Sequence, residues 1–141
     1  AQFAEPHNAD EGWQGAFRRG HPDAVLLRYA LAAIGRLDGL VVSHLDVVDG
    51  AHLRWCTGYR TADEANLASL PFSDKPDLDR QHALTQLLLQ GAQPLYEPHP
   101  VGSPQAWVER AEAFSGLSVR FGAFGPTRDT VRARKHIRKT V

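Results

Sequence analysis

The amino-acid sequence predicts an α/β fold, because an apolar helix is followed directly by a short apolar strand. The helix is predicted over residues 22–34 and the strand over residues 40–42, with Gly35 and Gly39 between them. A chain of 141 residues with 43% hydrophobic content can bury a core without metals or disulfides. We therefore expect one domain over residues 1–141, built from a buried helix and mixed or parallel strands.

The first 60 residues predict a loop, a helix, a strand, a turn and a second strand. Residues 1–21 are rich in Gly, Pro, Asn and Asp and show no periodicity, which indicates a loop. Pro22 and Asp23 suit the start of a helix, and residues 24–34 are apolar on nearly every side, which is typical of a buried helix. Residues 52–57 alternate as a strand after a turn at 46–50, so a hairpin is predicted here.

The second half of the chain predicts two helices and a glycine-rich turn between residues 77 and 127. Residues 61–76 carry two prolines and several acidic side chains and are predicted to form a surface connection. A helix is expected over 77–90, with Gly91 as its stop, and another begins at Ser103 and ends at Gly116. A strand over 117–121 leads into the turn at 122–126.

The charges are unevenly distributed although the formal net charge is zero. Residues 1–127 hold 10 basic and 15 acidic side chains, whereas residues 128–141 hold 6 basic and 1 acidic. This basic tail suits either a solvated terminus or contact with phosphate or an acidic surface. The body carries more acidic than basic side chains and no basic run interleaved with aromatic residues, which argues against a nucleic-acid partner.

Several classes of protein are excluded or disfavoured by composition. No apolar stretch is long enough to span a membrane, and a single cysteine, Cys56, cannot form an internal disulfide and is interpreted as structural. We expect a cytoplasmic location. The sequence has no Met, so we also expect a processed or excised piece of a longer protein.

Asp46 and Asp49 follow the predicted strand at residues 40–42, at the sheet edge where open α/β sheets bind ligands. A carboxylate there can accept two hydrogen bonds from one planar edge, such as that of guanine. The alternative is that each Asp only forms the turn, because Asp hydrogen-bonds its own backbone in tight turns.

Two other segments are candidate ligand contacts. Arg18 and Arg19 lie in a glycine-rich loop just before a helix N-terminus, a setting that suits an anion, although exposed arginine pairs are also common in loops. The turn at 122–125 lets a ligand approach the backbone closely. The seven histidines show no zinc-binding spacing, and no phosphate-loop or nucleophile motif occurs, so no metal ligand is predicted.

Taken in order, these motifs resemble the C-terminal part of adenylosuccinate synthetases over nearly the whole chain. The resemblance is strongest between Asp23 and Gly50. The matching segments are Trp13–Gly20, Asp23, Arg28–Ala30, Ser43–Gly50, Pro94–Glu97, and Gly125-Pro126 with Arg128.

The resemblance implies the C-terminal portion of a fold related to phosphate-loop proteins, and a part in a GTP-dependent ligase. That ligase joins aspartate to IMP, with Mg²⁺ accompanying GTP, in purine nucleotide biosynthesis. It implies that Arg18 and Arg19 bind aspartate carboxylates and that Asp46 recognises guanine. His44, which replaces a Lys, would pack along the base, and the turn from Ala123, which replaces a Ser, to Gly125 would lie beside it.

The family's phosphate loop, catalytic Asp and catalytic His have no counterpart in these 141 residues, so no catalytic residue is predicted in this chain. We expect the chain to be inactive alone and to need the remaining N-terminal part of the enzyme. Its expected ligands are GTP, IMP and aspartate, and a homodimer is left open. The alternative is a stand-alone, non-catalytic module that kept the fold and binds a nucleotide or a protein.

Overall fold

A computed structural model describes residue 15 and residues 20–48, 51–75 and 77–137. The helices and strands of these ranges are α1 (Ala24–Ile34), β1 (Leu40–Val42), β2 (Cys56–Arg60), β3 (Asn66–Leu67), α2 (Leu78–Gln86), β4 (Gln93–Tyr96), α3 (Pro104–Ser115), β5 (Val119–Ala123) and β6 (Val131–Ala133). A π-helical turn, Leu87–Gly91, extends α2, and the 3₁₀ turns Arg128–Thr130 and Arg134–His136 flank β6. The α/β class is confirmed.

The described strands form two three-stranded sheets. In the first sheet the order is β1-β5-β6, with β1 parallel to β5 and β5 antiparallel to β6. In the second sheet the order is β3-β2-β4, and both pairings are antiparallel. The mixture of parallel and antiparallel strands agrees with the prediction.

The predicted hairpin between residues 40–42 and 52–57 is wrong. Strand β1 pairs with β5, far along the chain, while β2 lies in the other sheet and begins only at Cys56. The residues before Cys56 make isolated bonds instead: Glu97 donates its N–H to Trp55 O and Val101 donates to Leu53 O. Alternation along one strand does not specify its partner, and long-range pairing decided it here.

The helix ends follow local side-chain chemistry, although α1 begins at Ala24, two residues after the predicted start, so that Asp23 is its cap. The Asp23 carboxylate caps α1 by accepting the N–H groups of Val25 and Leu26, each at 2.8 Å. The Ser103 hydroxyl caps α3 by accepting the Ala106 N–H at 3.2 Å, and Gly116 ends that helix in the left-handed conformation with φ 71°.

Two apolar clusters hold the described elements together. The first lies between the β1-β5-β6 sheet, α3 and the start of α1, and its buried members are Ala24, Leu45, Val48, Trp55, Val101, Val108, Ala111, Val119 and Ile137. The second lies under the β3-β2-β4 sheet and contains Val25, Cys56, Tyr59 and Leu70. Helix α1 buries Ala24 in the first cluster and Val25 in the second, and its partly buried Leu27 and Tyr29 pack against these clusters.

A helix is present within residues 22–34 as predicted, but the prediction that it is buried is wrong. Ala24 and Val25 are buried, but Leu26 is 43% exposed and Ile34 is 62% exposed. The described residues supply α3 and the second sheet as neighbours of α1, and these cover only part of its circumference. None of the helices in these ranges is long and apolar enough to cross a membrane.

The predicted basic tail at 128–141 is folded over its described part, up to residue 137. Strand β6 pairs with β5, and the Arg134 guanidinium donates to both Glu112 carboxylate oxygens on α3, at 3.3 and 3.2 Å. The described part is therefore a paired strand that still exposes Arg128, Arg132 and Lys135 to solvent, and residues 138–141 lie outside the described residues. Its alternating pattern, Val131-Arg132-Ala133, is that of an edge strand.

Candidate functional site

A tight turn follows β1 and holds two of the predicted site residues. The Val47 N–H donates to His44 O at 3.3 Å, which closes the turn around Asp46. His44 has a φ of 61°, a left-handed conformation that is uncommon for residues other than glycine. Ser43 Oγ lies 3.0 Å from His44 Nδ1, within hydrogen-bond distance. Backbone strain of this kind is typically found at ligand sites.

A second turn follows β5 and holds the other two predicted residues. Ala123 ends the strand, and the Phe124 N–H donates to Thr130 O at 3.1 Å, which closes the loop that contains Gly125. A Cβ atom at position 125 would lie 3.1 Å from Thr130 Cγ2. Thr130 is itself fixed, because its hydroxyl donates to Thr127 O at 2.6 Å. The close approach therefore favours glycine at this position.

One hydrogen bond joins the two turns: the Leu45 N–H donates to Ala123 O at 3.0 Å. Both turns leave the carboxyl ends of the parallel neighbours β1 and β5, which meet at one edge of the sheet. The structure thus joins the turn that holds His44 and Asp46 to the turn that holds Ala123 and Gly125. Arg18 and Arg19 lie outside the described residues, so their part in this site stays a prediction.

The Asp46 side chain is exposed and differs from the aspartates that cap helices. Asp23 and Asp77 accept backbone N–H groups two or three residues along the chain. No described residue donates a hydrogen bond to the Asp46 carboxylate, although its own turn includes described N–H groups at Val47 and Val48. The N–H group three residues along, the spacing seen at the Asp23 and Asp77 caps, belongs to Asp49. Asp49 lies outside the described residues.

Leu45 anchors the first turn to the sheet. Its side chain is 1% exposed, and its Cδ1 atom lies where a Cβ atom at Gly122 would be only 2.5 Å away. Ile137 Cδ1 occupies the other side of the same space, 2.6 Å from that Cβ position. Glycine at position 122 leaves room for both apolar side chains against strand β5. The contact of the buried Leu45 side chain with that strand fixes the turn that holds Asp46.

Two residues beside these turns were missed as site candidates, namely Phe124 and Arg132. The Arg132 guanidinium carbon lies 4.5 Å from the centroid of the Phe124 ring. Sequence reasoning placed Arg132 in the basic tail, although the alternation of residues 131–134 was a signal for a strand next to the glycine-rich turn.

The buried titratable groups lie away from these turns, around the start of α1. The Tyr59 hydroxyl donates to the Asp23 carboxylate. Burial, together with that hydrogen bond, raises the pKa of Tyr59 above its ordinary value. Burial and the nearby Asp23 charge also raise the pKa of the Cys56 thiol, which keeps it protonated. This cluster supports the interpretation of Cys56 as structural rather than nucleophilic.

Within the described ranges, no three His, Cys, Asp or Glu side chains lie together as metal ligands. The described chemistry of the site is therefore one exposed carboxylate, one exposed imidazole and a close backbone turn. Such a combination suits a flat ligand that presents hydrogen-bond donors at one edge and a face for packing.

Comparison with known proteins finds a similarity to a synthetase. An adenylosuccinate synthetase from Magnetococcus marinus is 32% identical over 127 residues, a match that covers 79% of this chain and 26% of that protein. No family model matches the chain. The similarity indicates a distant relationship to this family of purine-biosynthesis ligases, and the chain spans about a quarter of the relative's length.

Proposed function

We propose that this chain is the guanine-recognising part of an adenylosuccinate synthetase-like ligase. The observation that supports the proposal is the hydrogen bond from the Leu45 N–H to Ala123 O, which joins the turn containing Asp46 to the turn containing Gly125. The distant similarity to a synthetase supports the same conclusion. A carboxylate that accepts two donors from one base edge selects guanine among the common purines.

The chemistry follows from the edges of the three purines. Guanine presents an N1–H and an amino group side by side, so both Asp46 oxygens accept a hydrogen bond. Hypoxanthine presents only the N1–H at that edge. Adenine presents a bare N1, which would face a carboxylate oxygen lone pair and leave it unsatisfied, and this is a costly arrangement.

In the same proposal the imidazole of His44 packs along the base, and the backbone from Ala123 to Gly125 lies beside it. Arg18 and Arg19 bind the carboxylates of aspartate. Mg²⁺, when bound with GTP, offsets phosphate charge, and no residue of this chain is proposed as its ligand. The chain by itself is proposed to bind the base without catalysing ligation, because no phosphate-binding loop motif occurs in its sequence.

The test uses the 141-residue chain and three nucleosides without phosphate, whose binding is followed by backbone amide shifts in NMR titrations. We expect affinity to fall in the order guanosine, inosine, adenosine. Asp46→Asn should reduce the preference for guanosine over adenosine by about tenfold, because the amide turns an N–H toward the base donors. An unchanged ratio would show that Asp46 is only a turn former.

Asp38→Asn is the matched control, since it makes the same substitution at an exposed Asp just before β1 rather than just after it. It should leave all three affinities unchanged. If it lowers guanosine binding as much as Asp46→Asn does, net charge rather than base recognition explains the effect, and the proposal fails.

A further inference from the structure

One face of the β1-β5-β6 sheet presents a group of apolar side chains to solvent. Gly122 faces the buried Leu45 side chain, so that side of the sheet is its inner face. Neighbouring residues of a strand project to opposite faces, and cross-strand partners project to the same face. Phe121 therefore projects from the other side, together with its partners Val41 and Ala133. We call this side the outer face, and with the next cross-strand pair its members are Val41, Phe121, Ala123, Val131 and Ala133.

The outer face is uncovered in the part of the chain that the structure describes. Val41 is 67% exposed, Phe121 47% and Val131 43%, and neither apolar cluster includes them. The inner face, in contrast, is covered by α3, whose Val108 lies in the first cluster. Strands β1 and β5 are parallel, and parallel strands generally lie in sheets with helices on both faces. The outer face therefore lacks the cover that is usual for its strand pairing.

The width of the outer face suits a single helix. Neighbouring strands lie about 4.8 Å apart, so the outer strands of a three-stranded sheet are separated by roughly 10 Å. An α-helix with its side chains is about 10–12 Å wide. A stable dimer, in contrast, buries about 20–30 residues on each partner. The outer face has five members, so a second copy of the chain is not the occupant that we expect.

The chemistry of the outer face specifies the kind of helix. None of its five members is charged, and Arg120 borders it beside Gly39, where the guanidinium donates to Asp38 O at 3.2 Å. A helix on this face needs apolar residues spaced three and four apart on one side and polar residues on the other. The synthetase that matches this chain has about three quarters of its length outside the match. That length can supply such a helix.

We infer that the outer face binds an amphipathic helix from the part of the ligase polypeptide outside these 141 residues. The inference rests on the proposed function and deepens it by assigning the surface through which this part joins the rest of the enzyme. Strands β1 and β5 lead into the turns that hold Asp46 and Gly125, so a helix on the outer face supports the same two strands from the side opposite α3.

The test uses the protein encoded by the complete reading frame, with the photoreactive residue p-benzoylphenylalanine in place of Phe121. After irradiation, mass spectrometry should identify a cross-link to a peptide outside the 141 residues whose apolar residues recur three and four apart. The same replacement at Val41 should give the same peptide, because both side chains belong to the outer face. Phe72, an exposed Phe outside this face, is the matched control and should not give that peptide.

Each outcome decides the inference. Cross-links only to a second copy, only within residues 1–141, or to a peptide without helical apolar spacing would overturn it, as would no cross-link from either position. The same peptide from Phe72 would show non-specific capture and overturn it too. If the reading frame encodes nothing beyond these residues, the inference fails whether or not guanosine binds. Loss of guanosine binding by the isolated chain is the separate failure of the proposed function. A melting temperature within about 2 °C of the wild type verifies folding.

Discussion

Helices α1 and α3 begin and end alike but are covered very differently. Each starts at a polar cap, Asp23 or Ser103, and each stops at a glycine with positive φ, Gly35 at 82° and Gly116 at 71°. Helix α3 is amphipathic and buries Val108 and Ala111 in the first apolar cluster. Helix α1 is the more apolar of the two, yet it is buried only at its first turn.

The difference shows that apolar content and burial are separate properties of a helix. Apolar content is fixed by the sequence of the helix, whereas burial depends on which other elements pack against it. In α1, hydrogen bonds made by polar side chains take the place of the missing apolar coverage. Asp23 caps the helix and accepts the Tyr59 hydroxyl, and the Arg28 guanidinium donates to the carbonyls of Thr57 and Ala68. We infer that α1 is held mainly by polar anchors and α3 mainly by packing.

The largest expected effect comes from removing the anchor of α1. Asp23→Ala should lower the free energy of unfolding by about 2–4 kcal/mol, because it removes the helix cap and leaves the Tyr59 hydroxyl without its acceptor. Ser103→Ala removes only a cap, from α3, and should cost about 1 kcal/mol. Urea denaturation measures both.

Asp23→Asn refines this test, because an amide oxygen still caps the helix while the charged acceptor for Tyr59 is lost. Its cost should lie between those of the two alanine variants. Equal losses for Asp23→Ala and Ser103→Ala would contradict the assignment of α1 to polar anchors.

The next largest effect concerns packing. When apolar side chains are truncated, we expect a larger loss of stability in α3 than in α1, the reverse of the order expected for the caps. Val108 on α3 is completely buried, so Val108→Ala leaves a cavity and should cost about 2–3 kcal/mol. Ile34 on α1 is 62% exposed, and Ile34→Ala should change stability by less than about 0.5 kcal/mol. A large loss for Ile34→Ala that grows with protein concentration would mean that a second copy covers α1 in solution.

The same contrast explains how much of the fold could be predicted from the sequence. Caps and stops are local, so Ser103 and Gly116 were identified correctly from single residues and their neighbours, and Asp23 was placed in the first turn of α1, whereas it is the cap of that helix. Strand pairing is not local. Strands β3 and β4 were missed, and β1 was paired with the wrong partner, because two and four residues carry little periodic signal.

The candidate site was predictable to the same degree. Asp46 and the turn at Gly125 were identified because each follows an apolar strand, and the structure brings them to one sheet edge. Arg132 and Phe124 were missed because their proximity depends on the β5-β6 pairing, and the alternation of residues 131–134 indicates a strand without specifying its partner. The roles assigned to Arg18, Arg19, His44 and Asp46 stay predictions until binding is measured.

The smallest expected effect is a pH dependence carried by the Glu112 carboxylate on α3. The Arg134 guanidinium, which donates to the Glu112 carboxylate, and the Val119 N–H hold the pKa of Glu112 below its ordinary value of 4.5. A carboxyl whose pKa is lower in the folded state stabilises the fold above its unfolded pKa and stops doing so as pH falls through the folded value. The pair is partly exposed, at 33% and 28% of the two side chains, so its contribution should be about 1 kcal/mol or less.

Glu112→Gln should therefore lower the melting temperature at pH 7 and have a shrinking effect as the pH is lowered below about 4.5, where the wild-type carboxyl becomes protonated. Glu109→Gln removes the same charge from the exposed side of α3 and controls for net charge. Thermal unfolding followed by circular dichroism between pH 3 and pH 7 gives both differences, with about 2–4 °C expected at neutral pH for Glu112→Gln. If that difference stayed constant down to pH 3, the carboxylate charge would contribute nothing, and α3 would be held by packing alone.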